Sequence, residues 1–436
     1  MDGMIAKKRF DITIGQVVVI GSEPIEYVKV VKDISECIQY LSKEHSGRAW
    51  WFIGDNATAN QLIWSGAIMN VHLSKSYAHQ GMKKWMHTHL DVLAQDTLFD
   101  KTLLEQPNMQ FNLLSTTRDN KSETKSIRHY YRRNQEETSL LHTMRDIIDN
   151  GFKRPNRTGV DTRSVFGRQF EYRMNERVNP TTGESSFRLP LLTTKRMFTR
   201  GVFQELKWFL SGGTDSKPLE AQKVNIWKGN TTREFLDSIG HSDYDEGETG
   251  PIYGFQWKHW GADYVQGKHD YDSEGIDQVN RVIESLQNDP FSSRHIISGW
   301  NVSDLDKMCL PPCHMLYQFM VHEEDDQKYL SLMMTQRSCD TFLGLPFNIC
   351  SLGMFLTMMA HRVGVKPYKI IHSIADMHIY ESHVDAVSKQ LLREPFEFPY
   401  IRINSEPKDK LEDYNYEDLI IEDYFCHGAI KADMVA

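Results

Sequence analysis

The chain has 436 residues, 40% of them hydrophobic and 25% charged, which is enough for two domains that each bury an interior. Its net charge of −9 disfavours broad nucleic-acid binding, because such binding requires a cationic surface. No apolar run has the length of a membrane span, the N-terminus lacks the apolar block of a signal peptide, and the six cysteines form no CxxC pair. We therefore expect a cytoplasmic protein with no metal site, no disulfide framework and no membrane contact.

The first part of the chain alternates between strand and helix patterns. Runs of β-branched and aromatic residues predict strands, and apolar residues at helical spacing predict helices between them. The predicted strands cover 17–20, 30–31 and 50–53, and the predicted helices cover 34–41 and 57–63. This alternation is typical of a sheet with parallel strands.

A polar and locally basic segment, TTRDNKSETKSIRHYYRRN at 116–134, follows. We predict a solvated linker there, because the segment is poor in aliphatic residues. It divides the chain into a first domain at 1–115 and a second at 135–436. Helices are predicted at 140–148, 201–210 and 352–363, and strands at 329–334 and 369–374. This irregular mixture in the second domain favours an α+β fold.

The most informative stretch of the second domain is LPPCH, in which Cys313 follows two prolines. The prolines hold the backbone extended and so restrict the direction in which the thiol points. A nearby cation would lower the pKa of the thiol and make it a better nucleophile. A Cys–His hydrolase is an alternative because His314 follows directly, but residues adjacent in sequence rarely have the geometry for proton transfer.

A second cluster, QRSCDTFLGLPFN, places four polar residues close together: Arg337, Ser338, Asp340 and Asn348. An arginine beside a hydroxyl suits a phosphate, because both can donate hydrogen bonds to its oxygens. An asparagine amide carries a donor and an acceptor, which match the O4 and N3–H edge of uracil. Together with LPPCH, the cluster indicates a nucleotide site beside a reactive cysteine.

From about residue 135 onward, the chain resembles the thymidylate synthases. The matching motifs are RTG at 157–159, LPLLTTKR at 189–196, FQELKWFLSGGTD at 203–215, NIWKGN at 225–230, GPIYGFQW at 250–257, LPPCH at 310–314, QRSCDTFLGLPFNI at 336–349 and DMHIY at 376–380. The resemblance implies an α+β fold, with a mixed sheet, flanking helices and a dimer formed sheet to sheet. It also implies the conversion of dUMP and 5,10-methylenetetrahydrofolate into dTMP and dihydrofolate.

The resemblance assigns catalytic roles to six residues: Cys313, Glu205, Tyr253, Arg337, Asn348 and His314. Cys313 would add to C6 of the pyrimidine, and Arg337 would favour its thiolate. Asn348 would bind the uracil edge. Glu205, a carboxylate on the apolar helix GVFQELKWFL, would relay protons through water, and Tyr253 would assist removal of the C5 proton.

The remaining implied contacts divide between the nucleotide and the folate. The expected nucleotide-binding residues are Arg157, Arg294, Arg337, Ser338, Asp340, Asn348, His378 and Tyr380. The expected folate-binding residues are Ile226, Trp227, Asp340, Phe347 and the terminal Ala436, whose tail would close over the ligands. Arg294 would reach the partner's site in a homodimer. The family usually has two consecutive arginines there, whereas this chain has Ser293, which predicts weaker dUMP binding.

Residues 7–73 resemble the later half of dihydrofolate reductase through KRFDITIG and AWWFIGDNATANQLI. The arrangement is similar to that of bifunctional dihydrofolate reductase-thymidylate synthases, but the first half of the reductase has no counterpart. Gly54-Asp55 replaces the usual Gly-Gly near NADPH, which adds a side chain and a negative charge beside phosphates. We therefore predict that NADPH is not bound and that reductase activity is absent.

Two alternatives to the synthase remain open. A deoxypyrimidine-monophosphate hydroxymethylase would use the same fold, nucleophile and folate, but water would capture the methylene group. Cytosine-specific enzymes of that kind carry an acid at the position of Asn348, so Asn348 and Trp227 favour the synthase. A non-catalytic RNA-binding protein could use the basic segment at 116–134, but the complete catalytic set disfavours this as the main role.

Overall fold

The computed structural model describes residues 134–179 and 182–435, together with the backbone of seven strands nearer the N-terminus. These strands are β1 (Gly15–Ile20), β2 (Lys29–Val31), β3 (Ala49–Ile53), β4 (Asn70–Lys75), β5 (His89–Leu93), β6 (Phe111–Arg118) and β7 (Ser126–Arg132). β1 lies between β2 and β3 and is parallel to both, which confirms the predicted parallel strands. The helices predicted at 34–41 and 57–63, and the Gly54-Asp55 pair, lie outside the described residues.

The segment predicted as a linker contains the end of β6 and all of β7. These strands pair antiparallel, and β7 also pairs antiparallel with β4 in a sheet of order β5-β4-β7-β6. The backbone described at 116–118 and 126–132 is therefore paired in strands, unlike the predicted solvated linker. Ile127, Tyr130 and Tyr131 explain the difference, because β-branched and aromatic residues favour strands even in a charged segment.

The second part of the chain mixes helices with two sheets, in agreement with the predicted α+β fold. Its helices are α1 (Gln135–Asn150), α2 (Thr199–Leu210), α3 (Lys217–Ala221), α4 (Arg233–Ser238), α5 (Tyr253–Lys258), α6 (Gln278–Asn288), α7 (Gly344–Val363) and α8 (Val384–Gln390). Its strands are β8 (Phe152–Arg154), β9 (Thr162–Arg173), β10 (Glu176–Val178), β11 (Ser185–Arg188), β12 (Ile296–Ser298), β13 (His314–Glu324), β14 (Gln327–Asp340), β15 (Lys366–Tyr380), β16 (Tyr400–Ile403) and β17 (Leu419–Glu422). Short 3₁₀ turns lie at Lys228–Asn230, Val302–Lys307, Glu381–His383, Leu411–Asp413 and Tyr416–Asp418.

The larger sheet has six strands in the order β12-β13-β14-β15-β9-β8. Only the β14–β15 pair is parallel among its described pairings, and α7 connects these two strands. A parallel pair needs such a crossover, because a tight turn can join only antiparallel strands. The carboxyl ends of β14 and β15 therefore lie side by side, with Asp340 opposite His378.

One face of this sheet packs against helices, and α7 is the most deeply buried of them. Thirteen of its residues are buried, including Ile349, Phe355 and Met359, so the helix is apolar around most of its circumference. α7 ends at Gly364, whose φ of 73° belongs to the left-handed region that favours glycine at a helix end. α2 packs on α7 and carries buried Phe203, Leu206 and Phe209 toward the same core.

The smaller sheet is antiparallel, in the order β10-β11-β16-β17. Arg188 of β11 is fully buried and forms ion pairs with Glu136, at the start of α1, and with Glu397. Asn134 caps α1 by accepting a hydrogen bond from the Glu137 amide at 3.1 Å. Among the described residues, no helix is long and apolar enough to cross a membrane.

Candidate active site

The half-buried thiol of Cys313 lies where the loop after Pro311-Pro312 enters β13. Arg337 is its neighbour on β14, and the Arg337 amide donates to the Cys313 carbonyl at 2.9 Å. The guanidinium of Arg337 donates to the carbonyls of Pro312 and Pro311 at 2.9 and 2.6 Å. The two prolines therefore present acceptors that hold the arginine beside the cysteine, although 24 positions separate the two residues in sequence.

Tyr253, at the start of α5, lies on another side of the cysteine. Its hydroxyl accepts a hydrogen bond from the Cys313 amide at 2.6 Å. Burial raises the pKa of the Cys313 thiol, and this outweighs the lowering by Arg337, Tyr253 and Arg157. Arg337 thus acts in the predicted direction, but the thiol remains mostly protonated at neutral pH.

Glu205 lies on α2 with its carboxylate buried, 9% exposed, beneath Trp227. Burial raises its pKa from 4.5 to about 7, while a hydrogen bond that Trp227 Nε1 donates at 3.0 Å opposes the increase. The Trp227 ring lies 6.0 Å from the Tyr253 ring between centroids. A carboxyl that titrates near neutrality can both give and accept a proton, which suits acid–base chemistry.

A buried polar network lies on the α7 side of the cysteine. Gln336 donates to the Asn348 side-chain oxygen at 3.1 Å, and His372 contacts the Gln336 side-chain oxygen at 2.7 Å. His314 forms a hydrogen bond to the Asn348 side chain, and burial lowers the pKa of His314 to about 4. His314 is therefore a neutral member of the network at pH 7. It does not form the Cys–His base pair of a hydrolase.

His378 and Tyr380 share one face at the end of β15, as predicted from their spacing. Their rings are 5.2 Å apart between centroids. Both ring nitrogens of His378 are buried, and Nδ1 lies 3.7 Å from Asp376 Oδ1. Burial raises the pKa of Tyr380 to about 12, whereas Arg157 acts to lower it. Arg157 also acts to lower the pKa of Cys313, so its positive charge influences both Tyr380 and Cys313.

Asp340, at the end of β14, begins the turn into α7. One carboxylate oxygen accepts from the Phe342 and Leu343 amides at 2.9 and 3.3 Å and lies 3.8 Å from His383 Nδ1. Burial acts to raise the pKa of Asp340, but His383 and these amides lower it below the usual value. The carboxylate is therefore ionised at neutral pH and offers only acceptors to N–H groups of a ligand.

The other expected folate residues are apolar. Trp227 is buried, while Ile226 and Phe347 are partly buried against the core. Ala436 lies outside the described residues, but the tail before it forms several hydrogen bonds with the body of the protein. The His427 amide donates to the Thr193 carbonyl at 2.7 Å, Arg393 donates to the Gly428 carbonyl at 2.6 Å, and His383 Nε2 lies 2.8 Å from the Asp433 carbonyl.

Arg294 is not gathered with the other site residues. It is exposed in the loop before β12, next to the exposed Ser293, and its guanidinium has no hydrogen bond or ion pair within the described part of the chain. Ser338 follows Arg337 on β14 and is partly buried, with its carbonyl accepting from Gln336 at 2.8 Å. The structure therefore joins Cys313, Arg337 and Tyr253 by direct contacts, whereas no such contact joins Arg294 to them among the described residues.

Comparison with known proteins identifies one family. A sequence model of the family "Thymidylate synthase" matches residues 138–436. The chain belongs to the thymidylate synthase family. It is 42% identical over 308 residues to the thymidylate synthase of Saccharomyces cerevisiae, an alignment that covers 69% of this chain and 98% of that protein.

Bifunctional members of the thymidylate synthase family align as well. The bifunctional dihydrofolate reductase-thymidylate synthase of Leishmania major is 42% identical over 328 residues, which are 74% of this chain and 61% of that protein. The protein of the same description from Paramecium tetraurelia is 36% identical over 417 residues, covering 93% of this chain and 83% of the relative. This chain thus spans less than two thirds of the Leishmania protein. The Paramecium alignment extends ahead of the matched family region.

Sequence reasoning did not select Gln336 and His372, although both contact the network around Asn348. Gln336 opens the QRSCD motif and could have been noticed there. His372 carried no local signal, because it lies among apolar residues of β15 and meets Gln336 only through strand pairing. Lys195 was also missed; its buried ammonium lies under the charge influence of Asp340 and has a pKa of about 8 because burial lowers it.

Proposed function

We propose that this protein catalyses the reductive methylation of dUMP to dTMP, with 5,10-methylenetetrahydrofolate as co-substrate and dihydrofolate as the second product. The observation that carries the proposal is the surroundings of one half-exposed thiol. Cys313 has Arg337 bound to the preceding carbonyls and Tyr253 hydrogen-bonded to its amide. Glu205, whose pKa is about 7, lies one aromatic ring beyond Tyr253.

Cys313 is the proposed nucleophile. Its sulfur would bond to C6 of uracil, and the electron pair of the C5=C6 double bond would move toward C5 and the C4 oxygen. This makes C5 reactive toward the one-carbon unit that the folate supplies together with a hydride. Departure of the sulfur at the end would restore the double bond. Because burial raises the thiol pKa, ionisation must be assisted by the positive field of Arg337 and Arg157.

Glu205 and Tyr253 are the proposed proton-transfer groups. The C5 proton of the covalent adduct must leave, and Tyr253 is the hydroxyl nearest the cysteine in the described contacts. Its high pKa, which burial causes, favours the protonated hydroxyl, so it would relay a proton and not remain ionised. Glu205 would exchange protons with the pyrimidine through water, and Trp227 holds its carboxylate in place.

The nucleotide would be bound through its phosphate, its sugar and its base. Arg157, Arg337 and Ser338 would bind the phosphate, and Arg294 of the partner would add a further charge. His378 and Tyr380 would bind the deoxyribose hydroxyl, a role supported by His378 Nε2, which is buried and has no hydrogen-bond partner among the described residues. Asn348 would bind the O4 and N3–H edge of uracil.

The residues present fit a folate. The ionised Asp340 offers an acceptor to the N–H groups of the pterin, and Trp227, Ile226 and Phe347 supply apolar contact for flat rings. Residues 424–435 would cover the bound ligands and exclude water, with Ala436 at the end of this tail. The tail contacts at Thr193, Arg393 and His383 support this placement.

A homodimer formed through the larger sheet is part of the proposal. The sheet face opposite the helices carries exposed apolar side chains, with Met320 at 55% and Met333 at 39%. Met333 lies in register with Gln318 on β13 and Ile371 on β15, near the centre of that face. An apolar patch of this kind is typical of a surface that another protein covers.

We further infer that residues 1–115 are a partial reductase-like domain without reductase activity. The Paramecium alignment, which extends ahead of residue 138, supports the relationship. The predicted loss of NADPH binding rests on Asp55 beside Gly54. Incubation with dihydrofolate and NADPH, followed by absorbance of the reduced nucleotide, should show no consumption. Measurable consumption would overturn this inference and leave the synthase proposal intact.

The deciding experiment is mass spectrometry of the products that the purified protein forms from dUMP and 5,10-methylenetetrahydrofolate, with dCMP in parallel. We expect methylated uracil nucleotide and dihydrofolate in equal amounts, and no product with Cys313→Ala. A hydroxymethylated product, or reaction with dCMP alone, would replace the synthase with a hydroxymethylase. Retained turnover in Cys313→Ala would refute the covalent step.

A further inference from the structure

The amide of Asn348 lies at the end of a buried chain of hydrogen bonds that runs in one direction. His372 on β15 contacts the side-chain oxygen of Gln336 on β14 at 2.7 Å. Gln336 then donates from its side-chain nitrogen to the Asn348 oxygen at 3.1 Å and to the Ser338 carbonyl at 2.8 Å. His372 and Gln336 are 0% and 2% exposed, so these contacts lie in the protein interior.

Two constraints determine the orientation of the Gln336 amide. The Ser338 carbonyl can only accept a hydrogen bond, so the nitrogen of Gln336 must face it. The oxygen of Gln336 then faces His372, whose Nε2 must carry the proton. Burial lowers the pKa of His372 to about 3, so the ring is neutral at pH 7 and has a single N–H. The other ring nitrogen, Nδ1, has no partner among the described residues and is unprotonated in this tautomer.

The orientation of the Gln336 amide also determines the orientation of the Asn348 amide. Because Gln336 presents a donor, the Asn348 oxygen must face Gln336, and its nitrogen remains to donate toward the ligand. Uracil presents an acceptor at C4, whereas cytosine presents an amino donor there. We propose that His372, acting through Gln336, is a positioning residue that makes Asn348 select uracil over cytosine. The proposal deepens the proposed function, since it concerns the base that the same site accepts.

The alternative amide orientation is disfavoured at two points. Rotating Asn348 alone would place its nitrogen against the nitrogen of Gln336, so two donors would face each other. Rotating Gln336 as well would direct its oxygen at the Ser338 carbonyl and would require the proton of His372 on the unpartnered Nδ1. A buried donor without a partner is costly, so each step opposes recognition of cytosine. His314, which also binds Asn348, is neutral and adds no charge that could reverse the preference.

Substitutions at Gln336 and at His372 test the proposal. Gln336→Glu keeps the shape but presents only acceptors when ionised, so Asn348 should rotate and direct its oxygen at the base. His372→Phe removes the N–H donor, and His372→Gln provides one again. The measured quantities are the dissociation constants of dUMP and dCMP for each variant by isothermal titration calorimetry, with kcat/KM for dUMP alongside.

We expect the dUMP preference over dCMP to fall about ten- to a hundredfold in Gln336→Glu and about tenfold in His372→Phe, because one buried donor–acceptor match is lost. His372→Gln should restore the preference to within a few-fold. Thr357→Val serves as a matched control, because Thr357 is a buried polar residue of α7 that bonds only to Gly353 in the described contacts. Its dUMP preference should not change.

A parallel loss of affinity for both nucleotides, with the ratio preserved, would overturn the proposal and leave a merely structural role. The same conclusion would follow if His372→Gln behaved like His372→Phe. Circular dichroism separates these results from misfolding, and His372→Gln provides a second readout where His372→Phe does not fold. Failure of the unmodified protein to methylate dUMP would refute the proposed function instead, whereas the binding ratio tests the positioning role without turnover.

Discussion

Replacing Glu205 with glutamine should stabilise the protein at alkaline pH while it abolishes most of the turnover. The carboxylate is buried, and its pKa is raised from 4.5 to about 7 because burial disfavours the charge. Glutamine has the same shape, and its oxygen can still accept the hydrogen bond that Trp227 donates at 3.0 Å. The substitution therefore removes the charge and its desolvation cost without opening a cavity.

The sign and size of the effect follow from proton linkage. An acid with a raised pKa holds its proton more tightly in the folded protein, so ionising it costs stability. That cost is absent below pH 4.5, increases between pH 4.5 and about 7, and is constant above. The difference between these two pKa values, at about 1.4 kcal/mol per pKa unit, corresponds to about 3 kcal/mol. Glu205→Gln should be more stable than the parent by this amount at pH 8, and by less than about 1 kcal/mol at pH 5.

Urea unfolding at pH 5.0, 6.5 and 8.0, at one protein concentration, measures this difference as a function of pH. Glu284→Gln is the matched control, because Glu284 is an exposed glutamate of α6 and its substitution should have no pH-dependent effect. The kcat of Glu205→Gln should fall at least about a hundredfold, since glutamine cannot exchange a proton. A stability difference that is equal at all three pH values would refute the assignment of a desolvated carboxyl that titrates near neutrality.

Three further predictions concern the nucleophile, the dimer and the phosphate. Cys313→Ala should abolish turnover while dUMP still binds in calorimetry; residual turnover above background would exclude the covalent adduct. Met333→Glu should convert the proposed dimer to monomers in light scattering, because it places a carboxylate in the apolar sheet face, whereas Val302→Glu, at a site 74% exposed, should stay dimeric. Dissociation of both variants would argue against that face. Ser293→Arg should lower the KM for dUMP about tenfold by restoring a charge to the phosphate site, and an unchanged KM would show that this position does not contribute.

Sequence patterns predicted the strands and helices of the core but not their full lengths. The strand expected at 329–334 extends over Gln327–Asp340, beyond the point where its residues become polar. Its backbone pairs with β13 on one side and β15 on the other, so hydrogen bonding continues where the hydrophobic pattern ends. The helix expected at 352–363 begins at Gly344 and includes Pro346, which a first helical turn tolerates because its missing N–H is not needed there.

The segment at 116–134 shows the limit of composition as a guide. Its charge and low aliphatic content indicated a linker, yet β7 pairs with strands on both sides. Pairing of this kind depends on partners up to about 60 positions away, such as Asn70 opposite Tyr131. A local window contains no information about such partners. The boundary between the two predicted domains remains a prediction, although α1 begins at Gln135 with Asn134 as its cap.

In the candidate site too, motifs indicate some of the residues, whereas the contacts between them depend on packing. Cys313, Arg337 and Asn348 were identified from two motifs, and the structure brings all three to the ends of β13, β14 and α7. Motifs could not indicate that the carbonyls of Pro311 and Pro312 hold Arg337, because this contact requires the pairing of β13 with β14. The pKa of Glu205 likewise depends on burial, which no residue type determines alone.

Burial gives the site a definite charge pattern before any ligand binds. It raises the pKa of Cys313 and of Glu205 and lowers the pKa of His314, so each of these residues is shifted toward its neutral form. Arg337 and Arg157 then supply positive charge near the cysteine, which favours approach of a phosphate dianion to a protein whose net charge is −9.

Asp340 supplies negative charge to the same site. Asp340 stays ionised because His383 and the amides at the start of α7 lower its pKa, and burial raises the pKa of nearby Tyr380 to about 12, which keeps that hydroxyl protonated. In the proposed site, the nucleotide phosphate would therefore lie near Arg337 and Arg157, and the pterin near Asp340. Contacts with charges of opposite sign would orient the two substrates with respect to each other, so that binding energy favours the approach of C5 of the pyrimidine to the folate.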